Sequence, residues 1–270
     1  MLVFPNAKIN IGLRITEKRS DGFHNLETVF YPVNLTDILE FVESKDKTIF
    51  KNTGLQINIS DSDNLVLKAY YLLKENYKLP ELNIHLHKTI PFGAGLGGGS
   101  SDAAFMLTAL NTYFELQISN PELEKYAQQL GSDCPFFINN KPIFAEGTGN
   151  IFTRVNLDLS DYYILIVKPD IHISTKEAFT GIKPATPEFN LRGISNLPVS
   201  DFKKTITNDF EETIFKIYPE IKQIKDDLYR AGALYAQMSG SGSAVFGIFA
   251  SKPRISKYLD SYFTFLQITG

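Results

Sequence analysis

The stretch Pro91-Phe-Gly-Ala-Gly-Leu-Gly-Gly-Gly-Ser-Ser-Asp102 governs the reading of this chain. Five of the seven residues 93–99 are glycine, which leaves no side chain to bury and raises the entropy lost on folding. What such a run offers instead is backbone N–H that an anion can approach closely. It leads into Ala103, Ala104, Leu107 and Leu110, an apolar stripe at helical spacing. A helix start has unpaired N–H donors and the positive end of the dipole, so the stretch reads as a phosphate or nucleotide site.

Outward from the loop, Leu82-Asn-Ile-His-Leu-His87 alternates strictly, as a half-buried strand does. Further upstream, residues 9–15, 26–33, 38–42 and 55–59 read as strands. A helix between them places Leu65, Ala69, Leu72 and Leu73 on one face, with Ser62, Asp63 or Asn64 as cap. Downstream, Asn120-Pro121 opens a helix, with Asn120 as cap and Gly131 as its stop. A domain boundary is expected near Gly147-Thr-Gly-Asn150. Beyond it come a buried strand at 162–167, a proline-rich loop at 183–187 and a helix after Pro219 carrying Ile221, Ile224, Leu228 and Ala231. A strand pair then brackets Ser239-Gly-Ser-Gly-Ser243, and a last helix and strand reach Ile268. Strands and helices mixed without regular alternation indicate an α+β chain with two lobes.

The 270 residues suffice for a substantial core, and 43% hydrophobic with 21% charged residues is ordinary for a globular protein. A net charge of −3 provides no basic field for nucleic acid or anionic lipid. The single cysteine, Cys134, rules out an internal disulfide and fits a reducing, cytoplasmic setting. The start breaks its apolar run at Pro5 and Lys8, unlike a signal peptide, and no apolar stretch is long enough to span a bilayer.

The loop contains a literal Gly-x-Gly-x-x-Gly, which any glycine-dense run supplies. A dinucleotide fold needs a second parallel strand ending in an acidic residue; Glu115 has the right offset, but only residues 114–118 are there to form the strand. A P-loop needs Gly-Lys-Ser/Thr, and Gly99-Ser100-Ser101 has no lysine. A protein kinase needs Asp-Phe-Gly, where this chain has only Asp209-Phe-Glu211.

Three blocks in order resemble the GHMP kinases: Ala7-Lys-Ile-Asn10 with Arg19-Ser-Asp-Gly-Phe-His24, the glycine loop, and Met238-Ser-Gly-Ser-Gly-Ser-Ala244. The Ala7-Lys-Ile-Asn10 start, the Arg19 to His24 element and Leu130-Gly-Ser-Asp-Cys-Pro135 jointly resemble the branch acting on a cytidine diphosphate-linked polyol of non-mevalonate isoprenoid synthesis. The resemblance implies a ribosomal-S5-like N-terminal lobe over residues 1–150 that binds ATP, and a ferredoxin-like α/β sandwich lobe over 151–270. It also implies Mg²⁺ and γ-phosphoryl transfer to the polyol's 2-hydroxyl. An oxidoreductase using NAD(H) and a nucleic-acid-binding protein are the competing classes.

Carried onto this sequence, the resemblance assigns ATP to Pro91, Phe92, Gly93, Ala94, Gly95, Leu96, Gly97, Gly98, Gly99, Ser100 and Ser101, with Asn64 at the adenine. A helix cap is the equal alternative for Asn64, and Ser100 and Ser101 can also cap. Asp133 is implied as the base, or simply as an N-cap; Lys8 is implied as its charge partner, or as a stem over the core with its head in solvent. Asn10 is placed beside the polyol, or is a strand-end asparagine satisfying backbone groups; Phe23 and His24 are placed at the cytosine, on a stretch that also reads as an Asp-Gly turn, and Thr175 and Phe179 in a looser substrate segment. Ser239 and Gly240 are assigned to the acceptor side, or to a small-residue hairpin. His85 and His87 are expected to face solvent rather than hold a metal.

Overall fold

A computed structural model describes residues 1–56 and 60–268. In chain order the elements are β1 (Leu2–Val3), β2 (Asn6–Lys18), β3 (His24–Thr36), β4 (Ile38–Glu43), β5 (Ile49–Gly54), α1 (Leu65–Asn76), β6 (Leu82–Lys88), α2 (Gly98–Tyr113) and α3 (Asn120–Leu130). They continue with α4 (Phe136–Asn139), β7 (Ile143–Glu146), β8 (Ile151–Arg154), β9 (Tyr163–Lys168), α5 (Thr175–Ala178), α6 (Val199–Thr205) and α7 (Phe210–Ile217). The last are α8 (Pro219–Arg230), β10 (Tyr235–Met238), β11 (Val245–Phe249) and β12 (Phe263–Gln267).

The chain divides into two compact units, neither continuous in sequence. The first comprises Met1–Lys8, Asn34–Phe92 and Gly97–Lys141; the second comprises Ile9–Val33, Gly93–Leu96 and Pro142–Gly270. The glycines and asparagine at 147–150 form the turn of the β7–β8 hairpin inside the second unit.

In the first unit a sheet runs in the order β1-β4-β6-β5, with β5 parallel to β6. Alternation on β6 buries Leu82, Ile84 and Leu86, and α1 and α2 turn Ala69, Leu73, Met106 and Leu107 inward. On the other face His85 and His87 do not simply face solvent. Both ring edges meet the Thr53 hydroxyl, at 2.8 and 3.0 Å, and His85 also meets Glu40 at 3.2 Å, which ties β5 and β4 to β6.

Several local expectations change. The strand before α1 is β5; of the stretch 55–59, residues 57–59 lie outside the described residues and Leu55 is a bend. Asn120 is already helical, and Ser119 is the cap, its N–H and hydroxyl both donating to the Glu122 carboxylate. Residues 114–118 form no strand, with Glu115 and Gln117 at positive φ, so the acidic-tipped second strand of a dinucleotide fold is missing among the described residues. The final helix is one 3₁₀ turn at Leu259–Ser261.

The second unit holds an antiparallel sheet ordered β10-β11-β9-β12, and most of the sheet β2-β3-β7-β8. Helix α8 packs on β10 and β11 through the residues read from its periodicity, burying Ile221, Ile224 and Leu228. Replacing Leu228 by alanine removes a fully buried side chain from this core and should lower unfolding stability by about 2–5 kcal/mol, read from urea denaturation.

Candidate active site

Helix α2 begins at Gly98, inside the glycine run and well before its apolar stripe at Ala103. Its N-cap is Gly97 at φ 71, with no side-chain cap. Ser100 and Ser101 lie within the helix and do not cap it, and the Ser101 hydroxyl is buried without a partner. The N–H groups of Gly98, Gly99 and Ser100 precede the first intrahelical bond, from Ser101 N–H to Gly97 O at 2.9 Å. They are therefore open to an anion. A Cβ on Gly97 would press on Lys8 Cε and Cγ at 3.1 Å and on Phe137 at 3.0 Å, so the loop lies directly against the Lys8 stem.

Lys8 is buried, its side chain only 4% exposed, and its Nζ stands 3.2 Å from Asp133 Oδ2. Asp133 is one-third open, at 34%. It sits in the turn between α3 and α4 and caps nothing, because Pro135 is the residue flanking α4. The bare-cap reading of Asp133 and the solvent-facing reading of Lys8 both fall. Cys134 beside it is fully buried. Burial pushes its thiol up to about 12, so it packs as a neutral group rather than serving as a nucleophile.

A cavity of about 270 Å³ opens in the same unit, walled by Leu65, Val66, Leu86 and Phe92 with Asn64 and Lys88 at its polar edge. Asn64 caps a helix and also lines this cavity. Its Oδ1 accepts the Val66 N–H at 2.9 Å, capping α1, while the residue lines the cavity. Apolar walls with a few polar groups suit a flat heterocycle.

The sequence reading missed a buried ion triad here. Lys88 Nζ pairs with Asp37 and, at 2.6 Å, with Asp102, all three almost without exposure. Asp37 Oδ1 also accepts the N–H groups of Thr89 and Ile90 at 2.6 and 2.9 Å. Asp102 lies beyond the first turn of α2 and answers Lys88. Burial pushes its carboxyl up to about 8, against the pull of Lys88. For Lys88 burial acts downward, but the two carboxyls outweigh it and raise the ammonium. The available signal was a lysine ending a half-buried strand, where an unpaired charge would be costly.

The second unit assembles the remaining residues. The Asn10 N–H donates to Ser239 Oγ at 3.1 Å, and Asn10 Nδ2 donates to Thr28 Oγ1 at 3.1 Å. Ser239 Oγ in turn donates to Gly95 O at 2.8 Å, and Ala244 N–H donates to Ala94 O at 3.2 Å. Gly95, at φ 76, has no room for a Cβ, which would overlap the Ser239 carbonyl. The turn 239–243, where Gly240 also sits at positive φ, thus holds residues 94 and 95 of the loop.

His24 stacks on Phe179, ring centroids 4.8 Å apart and planes 24° from parallel. Phe23 is 65% exposed, an open aromatic face on a turn pinned by Arg19. Arg19 pairs with Asp21 at 2.8 Å, and Asp21 Oδ1 accepts the Phe23 N–H at 3.0 Å. That guanidinium, with the Phe23 N–H, holds the Asp21 carboxyl below its usual range. Thr175 is exposed at the start of α5, one turn before Phe179.

The sequence matches the GHMP kinases N terminal domain over residues 64–141 and the GHMP kinases C terminal domain over 195–263. It is 54% identical over 260 residues to the 4-diphosphocytidyl-2-C-methyl-D-erythritol kinase of Bacteroides fragilis, covering 95% of each chain. The chain belongs to the GHMP kinases. A second relative in this family, from Azobacteroides pseudotrichonymphae and carrying the same name, is 56% identical over 250 residues, covering 92% of this chain and 93% of its own. A crystal structure of 4-(cytidine 5'-diphospho)-2C-methyl-D-erythritol kinase superposes with a TM-score of 0.78 at 30% identity, covering 92% of this chain and 90% of that one. A mevalonate kinase structure, 16% identical, shares the GHMP fold at a TM-score of 0.70 over 99% of this chain and 98% of its own. No helix among the described residues is long and apolar enough to cross a membrane.

The raised Asp102 carboxyl makes the stability of this GHMP kinase depend on pH. Folded protein holds a proton there that unfolded chain releases above its own lower carboxylate value. The contribution is therefore complete in acid and is lost as pH rises from about 4 to about 8. Asp102→Asn should remove that part of the slope, measured as the wild-type minus variant difference in urea midpoints across the window.

Proposed function

We propose that this GHMP kinase transfers the γ-phosphoryl group of ATP to the 2-hydroxyl of 4-diphosphocytidyl-2-C-methyl-D-erythritol. The names of relatives more than half identical over nearly the whole chain support the acceptor. The observation that carries the mechanism is the Lys8–Asp133 pair at 3.2 Å, the Lys8 stem lying against Gly97, the cap of α2.

Phosphoryl transfer demands position, charge stabilisation and a group to manage the hydroxyl proton. In this reading the N–H groups of residues 98–100, with the loop from Pro91 to Ser101, hold the nucleotide phosphates. The cavity at Asn64 and Phe92 takes the adenine. Asp133 accepts the proton of the attacking hydroxyl, and Lys8 offsets the negative charge that gathers as the bond forms. Among the described residues no three His, Cys, Asp or Glu side chains cluster as a metal site, and Mg²⁺ is taken to enter with the nucleotide as part of that substrate.

Asn10, Ser239 and Gly240 are assigned to the polyol side, and Phe23, His24, Phe179 and Thr175 to the cytidine. Phe23 supplies an exposed face for the ring and His24 a hydrogen bond. Two chain connections join these sets to the catalytic pair: Lys8 and Asn10 are alternate residues of β2, and Leu96 is followed directly by Gly97. The ATP-binding domain is proposed within residues 1–150 and the second domain within 151–270, each containing one of the two family matches.

An ATP-consumption assay over a panel of acceptors tests the reading, and turnover only on another alcohol would remove the named substrate. Asp133→Asn and Lys8→Ala should each lower kcat by roughly 10²–10⁴-fold. Near wild-type turnover in both would refute their assignment. His24→Ala should raise KM for the cytidine substrate by about tenfold while leaving KM for ATP within about twofold; an equal rise in both speaks against a cytosine contact.

A further inference from the structure

Asn208-Asp-Phe-Glu211, which fails as an Asp-Phe-Gly element, is a junction within the second unit. Asn208 is 3% exposed and uses its whole amide. Its Nδ2 donates to Met238 O at 2.9 Å and to Gly240 O at 2.8 Å, while its Oδ1 accepts the Phe210 N–H at 2.9 Å. One side chain therefore grips the backbone on both sides of Ser239. Glu211, also buried, accepts the Met238 N–H at 2.9 Å and Lys225 Nζ at 2.6 Å. The peptide groups of Met238 are thus held by these two side chains.

The same segment is bonded to β2. Asp209 N–H donates to Leu13 O at 2.8 Å, Asp209 Oδ2 accepts the Ile15 N–H at 2.7 Å, and Leu13 N–H donates to Thr207 O at 2.9 Å. Four residues accordingly tie the strand that carries Asn10 to the turn that carries Ser239. Ser239 Oγ is then the last link, bonded to the Asn10 N–H and to the Gly95 carbonyl. A buried amide and carboxylate with every bond made define one backbone arrangement, and loss of either leaves buried groups unpaired.

We infer that Asn208 and Glu211 are positioning residues: they fix backbone 238–240 so that Ser239 holds Gly95, and thereby set the part of the glycine loop that receives nucleotide phosphate. The inference rests on the ATP reading of that loop and is independent of which alcohol is the acceptor.

The test titrates Mg-ATP calorimetrically into the full-length wild type and into Asn208→Ser, Glu211→Ala and Glu211→Gln, with thermal melts as the folding control. Serine keeps an oxygen for the Phe210 N–H but does not span two carbonyls; glutamine keeps the acceptor for the Met238 N–H. Asn208→Ser and Glu211→Ala should weaken Mg-ATP binding by about tenfold in cooperatively folded protein, with Glu211→Gln within about twofold of wild type. Folded Asn208→Ser that binds as wild type overturns the inference, as does Glu211→Gln falling as far as Glu211→Ala. If Asn208→Ser does not fold, the two Glu211 variants decide the matter alone. Wild type that binds no Mg-ATP overturns the ATP reading and this inference together. Failure to phosphorylate the cytidine polyol, with the binding pattern intact, refutes only the acceptor.

Discussion

Backbone without side chains at residues 95 and 97 is the constraint on which the candidate site depends. At Gly95 a Cβ would run into the Ser239 carbonyl, and at Gly97 it would press on Lys8 and Phe137. Both take positive φ, so torsion favours glycine at both, and at Gly95 space demands it as well. The entropy lost in ordering these glycines is offset by what they permit. One close approach seats the loop on the turn around Ser239, and the other brings the uncapped start of α2 against the buried lysine.

Two lysines in the first unit illustrate how environment separates roles. Lys88 is enclosed with two carboxyls, one of them pushed up by burial, and the triad is almost wholly buried. Such a group specifies packing, because removing one partner strands a charge in the interior. Lys8 is equally buried, but its partner Asp133 is one-third open. A carboxylate that is paired and still reachable is the arrangement a proton acceptor needs.

Much was legible in the chain because it was local. The alternation of β6, the face of α8 and the cap at Asn64 follow from period and from residue chemistry within a few positions. Errors came where a short-range signal had two solutions. Asn120 and Ser119 are both good caps, and Glu122 decided for the serine. Asp102 answers a lysine fourteen residues away in the preceding strand.

By itself the sequence determined that a glycine run opens a helix, and that its ordered neighbours resemble those of a kinase family. Those properties depend on backbone chemistry and order along the chain. Only the tertiary structure decided that Asp133 meets Lys8 instead of capping a helix, that Ser239 bolts Asn10 to Gly95, and that His24 lies on Phe179. Each of these contacts joins residues more than a hundred positions apart, where local propensity says nothing and burial selects the partners.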